Sequence, residues 1–399
     1  MGAVGYIRNW TIFLKKYDHW RFLLAEVNKI AYLKSYLKYQ SSQDRSQAMH
    51  HAAKWLIKSM STGNDAGSST FYFNASWTSS YPETTGYIIP TLLRYSSTTD
   101  SAWSVEAKQA AVAAGKWLLG IQHADGGWPG GYIHQDRPSV VFNSGQILRG
   151  LYALHHVDQS EDWKGAAKRC IDWIWDQLDD QGRFSTNDYM EEIRVYGTYV
   201  VAPILEWVDL FPLENESWKE KALLHAKWVM SQQNELGWFA NCDNTLHKND
   251  KPIIHTIAYT VDGLWNIGVK LSNEDCKEAA LVPARVLATE FLSRGMLSGR
   301  YTKNWIGSES FIPTGGAQLA ILWESIFQIT GEPIWEEAFL KMNILLVAIA
   351  KRGTREDSET IGALPGSFPF WGRYETFGLP NWATKYMLDS LLNEHEKYS

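Results

Sequence analysis

The segment GKWLLGIQHADGGWPGG, residues 115–131, decides the fold because its parts return along the chain. Its aliphatic–Trp–aliphatic core recurs as AKWLI at 53–57, IDWIW at 171–175 and AKWVM at 226–230. The four core tryptophans, 62, 56 and 55 residues apart, are Trp55, Trp117, Trp173 and Trp228. Three cores precede a glutamine (Gln122, Gln177, Gln232) and a glycine–aromatic turn ending at Trp128, Phe184 or Phe239. This period predicts a repeated unit of helix, glycine turn, loop and second helix.

The predicted helices alternate between two kinds. Those of the first kind are charged along one face, which suits an outer ring: 46–61, 104–122, 161–178, 216–233, 274–294 and 333–351. Those of the second kind have fewer charges and more Gly, Ala and aliphatic residues, as helices buried on both sides should: 84–96, 143–157, 196–211, 255–270, 315–329 and 380–394. Six outer and six inner helices predict an all-α (α/α)6 toroid over residues 41–399, with no linker inside it.

Residues 1–40 are predicted to form a separate N-terminal helical arm. The segment from Tyr6 to Tyr39 mixes Trp, Phe and Leu with seven Lys/Arg and only two acids. A helical arm packed across the toroid has this composition, and so does an interfacial helix in peripheral contact with a membrane; the packed arm is the favoured interpretation. Because charges interrupt every apolar run near the N-terminus, no signal peptide is predicted. The expected location is cytoplasmic, with membrane association through the arm as the open alternative.

The composition favours some partners and argues against others. Aromatic residues make 14% of the chain, with 20 Trp, 19 Tyr and 15 Phe, and such rings fill cores and stack on sugars. A net charge of -6 argues against nucleic-acid binding. No His/Cys/Asp cluster has zinc spacing, so neither a metal nor another cofactor is expected. The expected partner is a poly- or oligosaccharide, and an acidic one fits best.

The topology predicts where the chemistry takes place. Loops leading from an outer helix into its inner partner are long and aromatic, whereas the return loops are short and polar. Because long loops carry function, the cavity should open at the N-terminal ends of the inner helices.

Six residues near these helix starts are the candidate catalytic groups: Glu83, Tyr81, His255, Tyr259, Asn143 and Arg373. Glu83 follows Pro82 in a first helical turn, where a carboxylate is also a common capping residue. His255 and Tyr259 lie one turn apart and share a helix face. Asn143 is either a cavity amide or a simple N-cap.

Further polar and aromatic residues at the helix starts are predicted to bind the substrate. They are Trp77, Tyr87, Trp128, Tyr132, Gln146, Tyr196, Trp238, Asn241, Trp305, Gln318, Trp371, Tyr374, Asn381, Trp382 and Lys385.

Two resemblances follow from these residues. The stretch QHADGGWPGG (122–131) resembles the Gln/Trp repeat of squalene-hopene cyclases and prenyltransferase barrels, although the Asp-x-Asp-Asp motif of acid-initiated cyclases is absent. Across the toroid, the arrangement is similar to (α/α)6 polysaccharide lyases and glucuronyl C5-epimerases. Those families place Tyr, His, Asn and Arg around an aromatic cleft, which implies Tyr81 or Tyr259, His255, Asn143 and Arg373 here.

Four functions are weighed. The leading hypothesis is uronate chemistry during glycan biosynthesis, by a β-elimination lyase or a C5-epimerase: Tyr259 and His255 exchange protons, Asn143 and Arg373 hold the carboxylate, and Glu83 assists. A glycoside hydrolase would use Glu83 with a second carboxylate such as Asp243, Glu191 or Asp125. A terpenoid cyclase-like enzyme and a non-catalytic glycan-binding toroid complete the alternatives.

Overall fold

The computed structural model describes residues 3–15, 19–188, 191–244, 250–350 and 359–398. Two helices, α1 (Ala3–Leu14) and α2 (His19–Tyr39), precede the ring. The outer helices are α3 (Ser42–Ser61), α5 (Ser104–Gly120), α7 (Glu161–Asp176), α9 (Asn215–Ser231), α11 (Glu274–Arg294) and α13 (Pro333–Ala350). The inner helices are α4 (Pro82–Thr98), α6 (Val141–Asp158), α8 (Thr198–Ile204), α10 (Ile254–Lys270), α12 (Pro313–Thr330) and α14 (Asn381–Tyr398). The predicted (α/α)6 toroid is confirmed.

Local signals explain where these helices begin and end. Ser41 and Asp44 form a reciprocal capping box at the start of α3, and the Asn273 side chain accepts the Cys276 N–H at 2.9 Å at the start of α11. Proline occupies the first position of α4 and α12, where its missing N–H costs nothing. Gly331 ends α12 in the left-handed conformation.

The repeated glycine turns lock neighbouring units together. Gly126 has φ +100°, and a Cβ there would lie 2.5 Å from the carbonyl oxygen of Arg169 in the next outer helix. Gly182 and Gly237 repeat the positive φ against α9 and α11. Gly362 makes the same approach to α3, with His51 O only 2.2 Å from its virtual Cβ. The last turn therefore packs on the first outer helix, and the repeat closes into a ring.

A glutamine supports the glycine turn in two of the units. The Gln122 amide donates to Gly126 O at 2.8 Å and to Ala166 O of α7 at 2.9 Å. In the fourth unit the equivalent bonds come from Gln233, to Gly237 O and Ala279 O, and not from Gln232 as the spacing suggested. The Gln/Trp similarity to cyclases thus reflects the joining of helical units.

Short β-strands connect the first and the last segments of the chain that forms the ring. β1 (Phe71–Tyr72) pairs with β2 (Ser76–Trp77) and, antiparallel, with β5 (Gly378–Leu379), so that Phe71 faces Leu379. A second hairpin pairs β3 (Arg300–Tyr301) with β4 (Gly307–Ser308). The three-stranded sheet therefore connects the first long loop with the last.

The third inner helix is shorter than predicted. The expected span 196–211 contains α8, flanked by 3-10 turns at Val195–Gly197 and Val208–Leu210. Pro203 lacks an N–H, so it cannot bond the carbonyl of Tyr199 four residues earlier. After Pro203 the α-helix ends, and the chain continues into the tighter 3-10 turn at Val208–Leu210. The sixth outer helix was predicted to end at Lys351, which lies outside the described residues.

The arm packs along one side of the ring. Phe13 of α1 is fully buried and stacks on Phe377 with a centroid distance of 4.2 Å. From α2, the Glu26 carboxylate accepts the Phe370 N–H at 2.9 Å, and the Lys29 amine donates to the Ile349 carbonyl. Within the described segments, no helix combines the length and the hydropathy needed to cross a bilayer.

Candidate active site

A cavity of about 300 Å³ opens at the N-terminal ends of the inner helices, as the alternation of long and short loops predicted. Inner helices α4, α6, α10 and α14 supply part of its wall, and the long loops supply the rest. Its lining consists of Tyr81, Glu83, Thr84, Tyr87, Gly131, Tyr132, Gln135, Arg137, Phe142, Tyr196, Asn244, His255, Thr256, Tyr259, Tyr374, Glu375 and Trp382. Eight of these seventeen residues are Tyr, Phe or Trp and eight are polar or charged, so aromatic surfaces and polar groups share the cavity.

Glu83 is the most perturbed acid of this cavity. It stands at the second position of α4 with only 7% of its surface exposed. Burial raises the pKa of its carboxyl to about 7, and a hydrogen bond from Tyr81 only partly opposes this effect. Among the described residues, no backbone N–H is bonded to this carboxyl. Glu83 can therefore hold a proton near neutral pH and release it to a bound molecule.

His255 also lines the cavity, as a neutral base. Its Nδ1 lies 2.8 Å from Gln318 Oε1, an oxygen that can only accept, so Nδ1 carries the hydrogen. The other ring nitrogen, Nε2, then carries a lone pair. Burial lowers the pKa of His255 to about 4, which keeps the ring uncharged at neutral pH. Gln318 does not line the cavity, but it fixes the tautomer of the residue that does.

A chain of tyrosine hydroxyls lies below these two groups. The Tyr386 hydroxyl is 3.1 Å from that of Tyr199 and 3.4 Å from that of Tyr259. The Tyr259 ring packs against His255 with centroids 4.4 Å apart. Burial first, then the charge of neighbouring Glu83 and tyrosines, raises the pKa of Tyr259 well above its usual value. Tyr259 therefore stays a neutral phenol, which donates hydrogen bonds.

A second carboxyl enters from the last long loop. Glu375 accepts a hydrogen bond from the Tyr72 hydroxyl of β1. Burial raises the pKa of Glu375, while the Tyr72 hydrogen bond favours its ionised form. Beside it, the Trp382 indole N–H donates to the Tyr374 hydroxyl at 3.0 Å. The cavity therefore contains two carboxyl groups next to rigid aromatic surfaces on which a sugar ring could stack.

Charged residues lie deeper between the inner helices. The Arg149 guanidinium stacks 4.1 Å from the Tyr199 ring and donates to the Tyr199 carbonyl, which Pro203 leaves without a helical partner. The Lys385 amine is 2.7 Å from the Asp389 carboxylate. Arg149 therefore joins α6 to α8, whereas the Lys385–Asp389 pair lies within α14, one helical turn apart.

Nine of the predicted site residues line the cavity together. These are Tyr81, Glu83, Tyr87, Tyr132, Tyr196, His255, Tyr259, Tyr374 and Trp382. They come from five different stretches of chain, and the toroidal closure brings them together.

Several predicted binding residues instead support the backbone. Each of three tryptophans donates its indole N–H to a carbonyl: Trp128 to Leu118, Trp238 to Tyr301 and Trp305 to Leu236. The Gln146 amide donates to the Tyr199 carbonyl at 3.3 Å. The Asn381 amide donates to the hydroxyls of Ser68 and Thr84, at 2.7 and 2.9 Å. These side chains hold the chain together within or between units and do not line the cavity.

The remaining predicted residues also lie outside the cavity wall. Trp77 packs on Trp55 with centroids 5.4 Å apart, and Trp371 lies 6.0 Å from Trp10 of the arm. Asn241 borders a separate surface depression, and Lys385 lies deeper with Asp389. Arg373 is exposed. Asn143 is buried, and both of its amide atoms are without a partner among the described residues.

The alternative second carboxylates have other partners. The Asp125 carboxylate accepts the Gly127 N–H at 2.9 Å and shapes the glycine turn. Asp243 is 2.8 Å from the Arg300 guanidinium, and Glu191 borders the same depression as Asn241. Among the described lining residues, the carboxyl groups are those of Glu83 and Glu375.

The sequence did not indicate eight further residues of the wall, namely Thr84, Gly131, Gln135, Arg137, Phe142, Asn244, Thr256 and Glu375. Phe142 and Glu375 directly adjoin the predicted Asn143 and Tyr374. Their position next to a predicted site residue was therefore the sequence signal that could have found them. In the described part of the chain, no three His, Cys, Asp or Glu residues gather as a metal site would require.

No protein-family model matches the sequence, and no curated protein matches it. Solved structures do match. An unsaturated glucuronyl hydrolase specific for heparin has a TM-score of 0.67 at 12% identity, over 90% of this chain and 98% of that chain. Unsaturated glucuronyl hydrolase from Bacillus sp. GL1 has a TM-score of 0.64 at 15% identity, over 87% and 96%. Cellobiose 2-epimerase from Bacillus thermoamylovorans has a TM-score of 0.65 at 11% identity, over 89% and 98%. The feature that this chain shares with them is the (α/α)6 toroid.

Proposed function

We propose that this protein is a saccharide-acting enzyme, and specifically a glycoside hydrolase in which Glu83 is the general acid. The observation that carries the proposal is a buried carboxyl whose pKa is raised to about 7 inside an aromatic cavity. Cleavage of a glycosidic bond requires an acid that protonates the leaving oxygen. An acid that keeps its proton at neutral pH is suited to this step.

Glu375 supplies the second carboxyl of the proposed mechanism. Hydrolysis needs a group that activates water or attacks the sugar carbon. Burial raises the pKa of both carboxyls, and in each case a tyrosine hydrogen bond opposes the rise, from Tyr72 at Glu375 and from Tyr81 at Glu83. Because the pKa of Glu83 reaches about 7, we assign the acid role to Glu83 and the base or nucleophile role to Glu375.

The proposed substrate is a short saccharide or the end of a longer one. A cavity of about 300 Å³ is at the small end of ligand sites and holds about one or two sugar rings. Trp382, Tyr132 and Tyr196 offer faces for stacking. Among the described lining residues, Arg137 is the only cation, and its position on the exposed loop would suit a uronate carboxylate. Unsaturated uronides, named in two of the structural relatives, belong among the first substrates to test.

A second candidate is proton exchange at a sugar carbon, by an epimerase or a lyase. The neutral His255 favours it, because Nε2 can accept a proton while Glu83 donates one. The base role expected of Tyr259 then passes to His255, since Tyr259 stays protonated.

One incubation series separates these reactions. The full chain is incubated in heavy water with neutral oligosaccharides, uronate-containing oligosaccharides and unsaturated uronyl disaccharides. New reducing ends, or loss of the ultraviolet absorbance of an unsaturated uronide, support hydrolysis. Deuterium in the sugar without cleavage supports an epimerase, and a gain of ultraviolet absorbance supports a lyase.

Variants test the role of Glu83. Glu83→Gln should lower kcat by about 10²-fold or more. The wild-type rate should fall as pH rises through about 7, because the acid loses its proton. Glu106→Gln is the matched control, since Glu106 also stands in a first helical turn but is exposed on α5. Full activity of Glu83→Gln on a substrate that the wild type turns over would refute the assignment.

A further inference from the structure

The first arm helix has an apolar stripe on the side away from the ring. Val4, Ile7, Thr11 and Leu14 follow the helical spacing of one face and are all exposed, with Val4 at 82% and Ile7 at 65%. Phe13, on the other side, is buried against the ring. A helix that is apolar on two opposite sides is ordinarily covered on both.

The second arm helix repeats this arrangement. Trp20, Leu24, Val27 and Ala31 lie on one face, and each is exposed. The opposite face, which contains Glu26 and Lys29, is buried against the toroid. Two successive helices therefore present apolar side chains outward, although the ring already covers their inner faces.

The charges around these stripes have one sign. Exposed cations in the described arm are Arg8, Lys15, Arg21, Lys34 and Lys38. Its one described acid, Glu26, is 1% exposed. Counted from the sequence, residues 1–40 hold seven Lys/Arg and two Asp/Glu, a net +5, so a total of -6 leaves -11 for residues 41–399. The arm is thus a basic, apolar surface on an acidic protein.

We propose that α1 and α2 dock the enzyme on an anionic membrane surface. Apolar side chains enter the boundary of the bilayer while neighbouring cations contact anionic headgroups. Trp20, 47% exposed, and Tyr32, 61% exposed, are the aromatic types enriched at the level of the headgroups. Attraction to anionic lipid also offsets the repulsion that the acidic ring experiences near such a surface.

The arm is joined to the cavity wall. Tyr6 donates to the Trp371 carbonyl at 2.9 Å, and Glu26 accepts the Phe370 N–H. The same loop contributes Tyr374 and Glu375 to the cavity. Docking through the outward stripes would therefore place the arm helices between the membrane and the loop that forms one wall of the site.

The test is flotation of the full chain with vesicles. One set contains phosphatidylcholine alone, and the other contains equal amounts of phosphatidylcholine and phosphatidylglycerol. The protein should float with the anionic set only, and less at high salt. Removing one exposed cation, as in Arg8→Gln or Lys34→Gln, should weaken partitioning about fivefold.

A stripe variant and a matched control test the apolar part. Ile7→Gln, Leu24→Gln and Val27→Gln together should weaken binding by about tenfold per side chain. The control carries three equivalent changes at exposed apolar positions of the toroid: Val105→Gln, Leu213→Gln and Ile306→Gln. It should float like the wild type. Circular dichroism checks that both variants are folded.

Three outcomes would overturn the proposal. They are no flotation with anionic vesicles, unchanged flotation of the folded stripe variant, and an equal loss in the control. A dimer in light scattering that the stripe changes dissolve, without vesicle binding, would assign these faces to a second copy of the chain instead.

Discussion

Replacing Glu83 by glutamine should stabilise the protein at alkaline pH while it removes activity. The buried carboxyl has a pKa of about 7 in the fold, against 4.5 as its ordinary value. This difference corresponds to about 3 kcal/mol between the two protonation states. Because Glu83 is only 7% exposed, solvent screening reduces this figure little.

The sign of the effect follows from proton linkage. Below about pH 4.5 the carboxyl is protonated in both the folded and the unfolded chain. As pH rises from there to about 7, the unfolded chain releases the proton and the fold retains it, so the wild type loses stability. Glutamine has no proton to lose. The free energy of unfolding of Glu83→Gln minus that of the wild type should therefore grow by about 3 kcal/mol between about pH 4 and pH 8.

Urea denaturation followed by tryptophan fluorescence measures this difference at both pH values. The wild type and Glu83→Gln contain the same other titratable groups. The difference between their free energies of unfolding therefore cancels the contributions of those groups. Glu106→Gln again serves as the control for loss of one carboxyl. A difference between Glu83→Gln and the wild type that is the same at both pH values would refute the raised pKa, and with it the basis for Glu83 as an acid at neutral pH.

Three further predictions concern other parts of the structure. Gly126→Ala should destabilise the fold by more than about 2 kcal/mol, because its φ is +100° and the new Cβ meets the Arg169 carbonyl; Gly120→Ala, with nothing within 4 Å, should be neutral or slightly stabilising, and urea denaturation compares them. Tyr386→Phe should cost about 1–3 kcal/mol in the same assay, because it removes a hydroxyl that lies within hydrogen-bond distance of two tyrosines. Activity that depends on neutral His255 should be lost as pH falls through about 4, and a pH–rate profile of the wild type shows whether it is.

The sequence was informative about the fold because its signals are local. Pro82 and Pro313 mark the starts of two inner helices, and Gly331 marks the end of one. The Trp repeat and the glycine turns give the period. Once helices alternate between two rings, all inner helices run in one direction, and their N-termini must share one end. The place of the cavity follows from this arrangement without knowledge of any contact.

The sequence was less informative about which side chains face the cavity. Phe142 and Asn143 are consecutive on α6, so a change in helix phase of one residue exchanges them. Trp128 and Trp382 are equally aromatic, but the first donates to a carbonyl of its own unit and the second to a cavity tyrosine. Glu375 depends on the pairing of β1 with β5, a contact between residues about 300 positions apart in sequence that no local pattern encodes.

The place of Glu83 at a helix start allows two roles, capping of the helix or proton transfer. The sizes of the two effects on its pKa decide between them. A carboxylate in the first turn gains about 0.3–1 kcal/mol from the helix dipole, and that gain would lower its pKa. Burial opposes it and prevails, since the pKa rises to about 7. Lys385, similarly buried, is paired with Asp389, as buried charges usually are. In the described part of the chain, Glu83 has a hydrogen bond from the Tyr81 hydroxyl and no ion pair, so its ionised form costs stability that capping does not return. An acid kept at such a cost, in a cavity that also contains a neutral imidazole and aromatic walls, is best explained by the proton it can donate.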